Sequence, residues 1–359
     1  MEELTVIDSN LKQVGIVDSF TSLLWIERFN GFGDFEFYAP YNSTLHSLMS
    51  PNRFVRLNDS KKAMIVENRD VEFDKDLGYI LTVKGRSLES ILLRRLALGF
   101  PPTIGFFSPL VDSMFYDNII SPVDTNRTIN GFTLAEGTSS WSMNPIYKVV
   151  EKNETVYDVL VDLCRPRGYG FKIELNEELI TIPSIKFIFS FYHGTRRDYT
   201  QQDYPFVIFS REFENLVSAN SIEDYTNHKS VAYVYGAGDE FTVPVAVIGT
   251  DTDLDRKEVY IDGSDIPLDD ETGTPIPSGE YLAYLEGKGY EELDKLTPIN
   301  TLEADIDTDS QYIYGRDFFL GDIVQLEDGR GTEYSARITE IIRSTNEQGT
   351  KIYPTFVIE

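Results

Sequence analysis

Asp251, Asp253 and Asp255, at alternate positions in "DTDLDRKEVYID", are the residues of this 359-residue chain whose types and spacing come nearest to a known site. They fall on the first three ligand positions of a calcium loop, where hard carboxylate oxygens converge on one cation. The rest of the loop departs from that pattern. Arg256 stands where the sharp turn calls for glycine, and Asp262 where a bidentate glutamate closes the site. The run therefore reads as a solvated acidic loop. Asp305, Asp307 and Asp309 repeat the partial pattern with the same outcome.

Soft-metal and nucleophile chemistry find little support. The single cysteine, Cys164, excludes an internal disulfide, and His46, His193 and His228 are far apart in sequence, so no metal site and no cofactor is expected. Cys164 sits in "VLVDLCRPRG" as a small residue on the apolar face of a helix. Gly-x-Gly occurs in "GFGDFE", "GAGDEF" and "GKGYEE", but none completes a dinucleotide fingerprint. There is no nucleophile elbow, Walker loop or His-Glu-x-x-His. Carboxylate pairs are too many for a glycosidase pair to be chosen. The chain is expected not to be an enzyme. Arg94 with Arg95, and Arg196 with Arg197, suggest phosphate contact, but the first pair is already explained as the last turn of a helix, where positive charge suits the macrodipole.

Charge narrows the partners. The net charge is −27. Residues 239–359 hold 28 acids against 9 bases, and residues 1–238 hold 31 against 23. Such a field disfavours specific nucleic-acid binding. No apolar run reaches the length of a membrane span, and "MEELTVIDSN" lacks the pattern of a signal peptide, so no stable membrane anchoring is expected. Hydrophobic residues at 41% and aromatics at 13%, with 23 Phe and 21 Tyr, mark a globular composition favouring strands.

The elements follow from periodicity and punctuation. In "RFNGFGDFEFYAP", Phe35 and Phe37 fall on one side of a strand and Asp34 and Glu36 on the other, while Gly31 and Gly33 mark a turn needing positive φ or close backbone approach. Short alternating strands precede and follow it. A helix is predicted from Ser87 as cap through Leu88, Ile91, Leu92 and Leu96 to Gly99, and a weaker one over Leu110 to Ile120. Thr155 with Asp158 opens a third helix, through Val156, Val159, Leu160 and Leu163, that stops at Gly168. "KGYEELDKL" gives a short helix near residues 289–296. The end is a β-meander with turns at "EDGRG" and "NEQG". The apolar run Phe100 to Phe107 is expected to pack against another subunit or domain. The fold class is β-rich α+β. The division reads as residues 1–95, completed by C-terminal strands, 96–205 as an inserted α/β region, and 206–359.

"DSFTSLLWIERF" before "GFGDFEFYAP", then "LTVKGRSLESILLRR", "FVIFSREFENL" and "GRDFFLGDIVQLEDGRGTEYSARITEIIRS" occur in the order found in siphophage tail-associated proteins, the tail-tip or baseplate hubs of phages and prophages of Gram-positive bacteria. The chain resembles them from Leu4 to Phe356. The resemblance implies two β-barrel-like domains decorated by two smaller α/β domains, and a homotrimeric ring. That ring would join a hexameric distal tail protein or tail tube protein, with the tape measure protein as a further partner, and close the tube until DNA passes. It also implies a virion protein of the distal tail, assembled in the host cytoplasm. Gly31, Gly33, Phe35, Gly85, Arg86, Ser87, Gly321 and Asp322 match the recurrent pattern and read as structural and assembly residues, none catalytic. Because many relatives continue into fibre or lytic domains, the chain reads as a short hub or a fragment of a longer one. The alternatives are a tail-associated cell-wall hydrolase or peptidase, and an adhesin module for host saccharide.

Overall fold

Alternation along the Asp34–Pro40 strand sets the inner face of the main sheet. Phe35, Phe37 and Ala39 are buried, and Tyr38 and Pro40 face out. The computed structural model describes residues 2–57, 60, 62–99, 103–135, 145–148, 153–176, 186–238, 243–269, 273–306, 311–327 and 330–359. Within them Asp34–Pro40 lies antiparallel between Ser22–Arg28 and Gly78–Ser87, so that Phe35 faces Trp25 on one side and Gly85 on the other.

From that centre one sheet of 14 strands extends both ways. On the Gly78–Ser87 side it continues through Ala63–Asp74, Phe54–Leu57 and Leu4–Ile7 to Gln13–Val17. On the other, Ser22–Arg28 pairs with Glu333–Asn346, from Ser22 opposite Asn346 to Arg28 opposite Glu340. Gly349–Ile358, Ile299–Ile306 and Leu216–Asp224 follow. Ile323–Glu327 branches from Glu333–Asn346 and receives two short parallel strands, Arg196–Arg197 and Ile208–Phe209. The fold is thus β-rich, as expected. Among the described residues the pairing path stays open from Gln13–Val17 to Leu216–Asp224, so no closed barrel is seen.

Four apolar cores are packed on these elements. One lies within the first strands around Trp25, Phe37 and Val83, and a second within the C-terminal strands around Phe209, Phe318 and Phe356. The third joins Leu92, Phe107, Leu160 and Phe189, where helices Phe107–Phe115 and Val156–Cys164 cover a sheet of Phe132–Leu134, Gly170–Leu175 and Phe187–Tyr192. The fourth places helix Ser278–Asp294 on Val231–Gly236, Val245–Ile248 and Glu258–Gly263 through Val234, Ile261 and Leu285.

The predicted helices need correction in three places. Ser87 opens a 3-10 segment, Leu88–Arg94, in place of an α-helix, because its hydroxyl is engaged elsewhere and Leu96 is left 44% exposed. The second helix begins earlier, at Phe107, and closes in a wider turn over Tyr116–Ile120. The last runs over Ser278–Asp294, well before residue 289, and Gly279, Gly287 and Gly289 inside it weaken its sequence signal. Thr155 and Asp158 do form the reciprocal cap, and Gly168 stops the segment at φ 61°. The apolar run Phe100 to Phe107 is described only in part, with Phe100 to Pro102 outside the described residues. So are the aspartates Asp307 and Asp309, the centre of the "EDGRG" turn and the acidic end of "GAGDEF".

Candidate structural site where the two halves of the sheet meet

Five of the expected structural residues converge around the turn that feeds Asp34–Pro40. Gly33 donates its amide to the Ser87 hydroxyl at 2.8 Å, and Ser87 returns its own amide to the Gly33 carbonyl at 2.8 Å. A Cβ on Gly33 would lie 1.9 Å from the Ile26 carbonyl oxygen, and one on Gly85 only 1.8 Å from that of Ile65. Close approach of neighbouring strands, not positive φ, therefore demands glycine at both. Gly85 also makes room for the Phe35 ring opposite it. Arg86 pairs with Glu67 at 2.7 Å and stacks its guanidinium over the Phe32 ring, 5.2 Å from the ring centre. Gly31 stands apart from this logic: its nearest neighbour is the Tyr157 hydroxyl, at a distance a Cβ would reduce to 3.1 Å.

The Ser87 hydroxyl extends the clasp into the α/β unit. It bonds the buried Glu89 carboxyl, which accepts the Ile173 amide at 2.8 Å. Burial pushes the Glu89 carboxyl above the usual carboxylate range, against these bonds. Beside it, Glu27 accepts from Lys62 at 2.6 Å and from the Tyr314 hydroxyl at 3.0 Å. Burial opposes its charge, but Lys62 and Tyr314 outweigh burial and hold the carboxyl low. A cavity of about 20 Å³ lies among Glu27, Lys62, Ser87, Glu89 and Tyr192, enough for one water.

The remaining pair, Gly321 and Asp322, sits across the junction. Asp322, 2% exposed, accepts from the Thr195 amide at 2.6 Å, Arg197 Nε at 2.7 Å and the Phe319 amide at 3.0 Å. Arg197 thus holds a buried carboxylate and not a phosphate. Gly321 adopts φ 92°, and a Cβ there would meet the Phe29 ring at 2.5 Å.

Phe29 links the two clusters, and nothing in its residue type announced that role. It is 1% exposed. Its amide donates to the Thr339 carbonyl at 2.9 Å, and its carbonyl accepts from the Phe171 amide at 3.2 Å and the Tyr192 hydroxyl at 3.4 Å. Tyr192 meets its ring edge-on at 5.1 Å, and the Arg337 guanidinium lies 5.1 Å above it. Arg337 continues to the carbonyls of His193 and Gly321 and to Glu359. Next to Phe29, Arg28 bridges Asp34 and Glu340, both at 2.7 Å. The signal was "RF" directly before the glycine turn, an arginine and a phenylalanine at the strand end, some of whose partners, Arg337, Thr339 and Glu340, lie about three hundred residues away (Glu340 by 312).

Other singled-out groups lie elsewhere. Cys164 is fully buried, and burial holds its thiol well above its usual range, so it is not a thiolate nucleophile. Among the described residues no group of three His, Cys, Asp or Glu side chains is placed to hold a metal ion, and no helix is long and apolar enough to cross a membrane.

The family model described as siphovirus ReqiPepy6 Gp37-like protein matches residues 3–356. The chain belongs to this family of siphovirus tail proteins. Membership gives the Gp37-like chain a structural role in the virion tail. Its fold is that of a tail protein from Neisseria meningitidis MC58, with a TM-score of 0.59 and 14% identity over 100% of this chain and 97% of that one. The 43 kDa tail protein of prophage MuSo2 from Shewanella oneidensis gives 0.58 at 12% identity, covering 99% and 98%. Prophage tail protein gp18 from Listeria monocytogenes EGD-e gives 0.54 at 12% identity, covering 99% and 94%. No curated protein matches the chain significantly.

Proposed function

We propose that this tail protein is a tail-tip hub, a homotrimeric ring that joins the distal tail or tube protein to the tip and closes the tube until DNA passage. The observation that carries the reading is the shared sheet: Ser22–Arg28 pairs along its whole length with the second half of Glu333–Asn346, from Glu340 to Asn346, so two β cores stand side by side in one sheet with two smaller α/β units attached. Two β units with two smaller α/β units attached suit a hub, although the β units share one open sheet and do not form closed barrels among the described residues. A rigid double unit repeated three times gives six similar positions, which suits a sixfold tube. Gly33, Phe35, Gly85, Arg86, Ser87, Gly321 and Asp322 hold the two units in register and act as fold determinants, with Gly31 in the same turn. In this reading they perform no chemistry, and the chain is not an enzyme. The test is imaging of purified tails carrying a tagged chain. Three copies in a ring at the distal end are expected; label along the tube shaft, or a single copy per tail, would refute the hub.

A further inference from the structure

Resting on the ring reading, we infer that a groove flanked by Arg94 and Arg95 receives the acidic loop Asp251 to Asp255 of a second copy of this chain, joining neighbours head to tail.

The groove, of about 470 Å³, opens between the first sheet and the α/β unit. Phe54, Ile91 and Phe187 form its floor, and Arg94, Arg95 and Asn130 are on its walls. In a chain of net charge −27, no aspartate or glutamate among the described residues lines it. Nor are its cations neutralised. Among the described residues Arg94 makes no side-chain hydrogen bond or ion pair, and Arg95 donates only to the carbonyls of Arg127, at 2.6 Å, and Arg94, at 2.8 Å. Arg127, close behind, bonds the Leu96 carbonyl and the Asn118 amide oxygen at 3.1 Å. Carbonyl dipoles orient guanidinium groups but leave their charge in place. The crowding is felt by Arg95, which is lowered first by burial and then by Arg127 and Arg94. A partner that relieves it must bring carboxylates around an apolar tip.

The loop between Val245–Ile248 and Glu258–Gly263 has that form. Leu254 is 90% exposed, with exposed Asp253 and Asp255 on either side. The backbone is fixed: Asp253 adopts φ 54°, the Ser230 hydroxyl donates to the Asp255 carbonyl at 3.0 Å, and Arg256 donates to the Asp251 carbonyl at 2.9 Å. Arg256 also donates to Glu258 and the Tyr233 hydroxyl, so it forms no ion pair with the three aspartate side chains. Ordering of the tip is therefore already done before it binds. Within one chain the leucine is bare and the groove stands open, so the contact is between copies. Groove and loop are different surfaces, and a contact of this kind is heterologous, closing into a ring when its rotation permits. Leu254 would cover the floor while Asp253 and Asp255 face Arg94 and Arg95.

The experiment is sedimentation of the full chain over a concentration series. The variants are R94E/R95E, D253R/D255R, all four substitutions together, and L254S. Arg94, Asp253, Leu254 and Asp255 are exposed and Arg95 is half-buried, and circular dichroism checks that the fold is kept. Each double reversal is expected to raise the dissociation constant about tenfold or more, and the fourfold variant to recover most of that loss. L254S should weaken association without changing its salt dependence. Reversals that leave a wild-type oligomer unchanged, or a fourfold variant that recovers nothing, would overturn the groove contact and leave the hub reading standing. A wild-type chain that forms no ring even on purified tails would remove both.

Discussion

Replacing Phe29 by alanine tests the junction most directly. The substitution leaves the three backbone hydrogen bonds of residue 29 in place and deletes only the ring, which is 1% exposed between Tyr192 and Arg337. Removing a buried phenylalanine ring costs about 3–5 kcal/mol when the site cannot collapse. Collapse is hindered here because Gly170 and Gly321 already bring their backbones against the ring, where a Cβ would stand at 2.4 and 2.5 Å. The lost guanidinium contact adds about 1 kcal/mol, part of which overlaps with the burial term. A loss of about 4 kcal/mol shifts the opening equilibrium of the junction roughly a thousandfold. Hydrogen exchange reads this locally. The amides of Phe171 and of Glu340 to Asn346 should lose protection by that factor, while those in the Val231–Gly236 sheet, whose core is separate, stay unchanged. Phe29→Leu should keep most of the protection. If Phe29→Ala changes exchange at Phe171 less than about tenfold, the ring does not hold the junction and the reasoning fails.

Gly85→Ala should destabilise by about 1–3 kcal/mol or more, since its Cβ would enter the Ile65 carbonyl, and urea unfolding followed through buried Trp25 checks it. Asp198 is fully buried; burial would raise its carboxyl, but Arg196, Ser335 and Thr200 hold it at about 2 against the usual 3.8. Its contribution is therefore complete above pH 3.8 and lost as pH falls towards 2, amounting to about 2 kcal/mol, and Asp198→Asn should flatten the acid limb of a stability profile. Glu89 has the opposite sign: with its folded value raised above the usual 4.5, its contribution is complete below that pH and declines as pH rises through the folded value. Glu89→Gln, which keeps an acceptor for the Ile173 amide, should remove that decline in thermal melts run from pH 4 upward, and an unchanged profile would count against the buried proton.

What the sequence made legible is what depends on local pattern. Phe35 and Phe37 announce an inner face because a strand has a period of two, and Thr155 with Asp158 announces a helix start because the reciprocal cap spans only three residues. Helix Ser278–Asp294 was cut short because three glycines lower its propensity, while packing of Tyr281, Leu285 and Gly289 on the neighbouring sheet decides the matter. The glycine turn was legible as a constraint, but not its form. Only the pairing of Asp34–Pro40 with its two neighbours shows that Gly33 and Gly85 are fixed by carbonyls of other strands. Phe29, Arg337 and Glu89 were invisible because their partners lie far along the chain, and single-sequence patterns carry no record of such pairs.

The pairing of Ser22–Arg28 with Glu333–Asn346 also sets a schedule for synthesis. Ser22 and its partner Asn346 leave the ribosome in that order with more than three hundred residues between them. At about 5–20 residues per second, the first strand waits on the order of 15–65 s for its neighbour. During that interval one edge of the first β unit is open, with Leu24 partly exposed along it even in the finished fold. The inserted units emerge while the edge waits, and the next-to-last strand, Glu333–Asn346, is the one that seals it. A stalled or shortened chain therefore presents an unpaired strand edge to every other nascent copy nearby, and infected cells making many tails at once are where that edge is most exposed to mispairing.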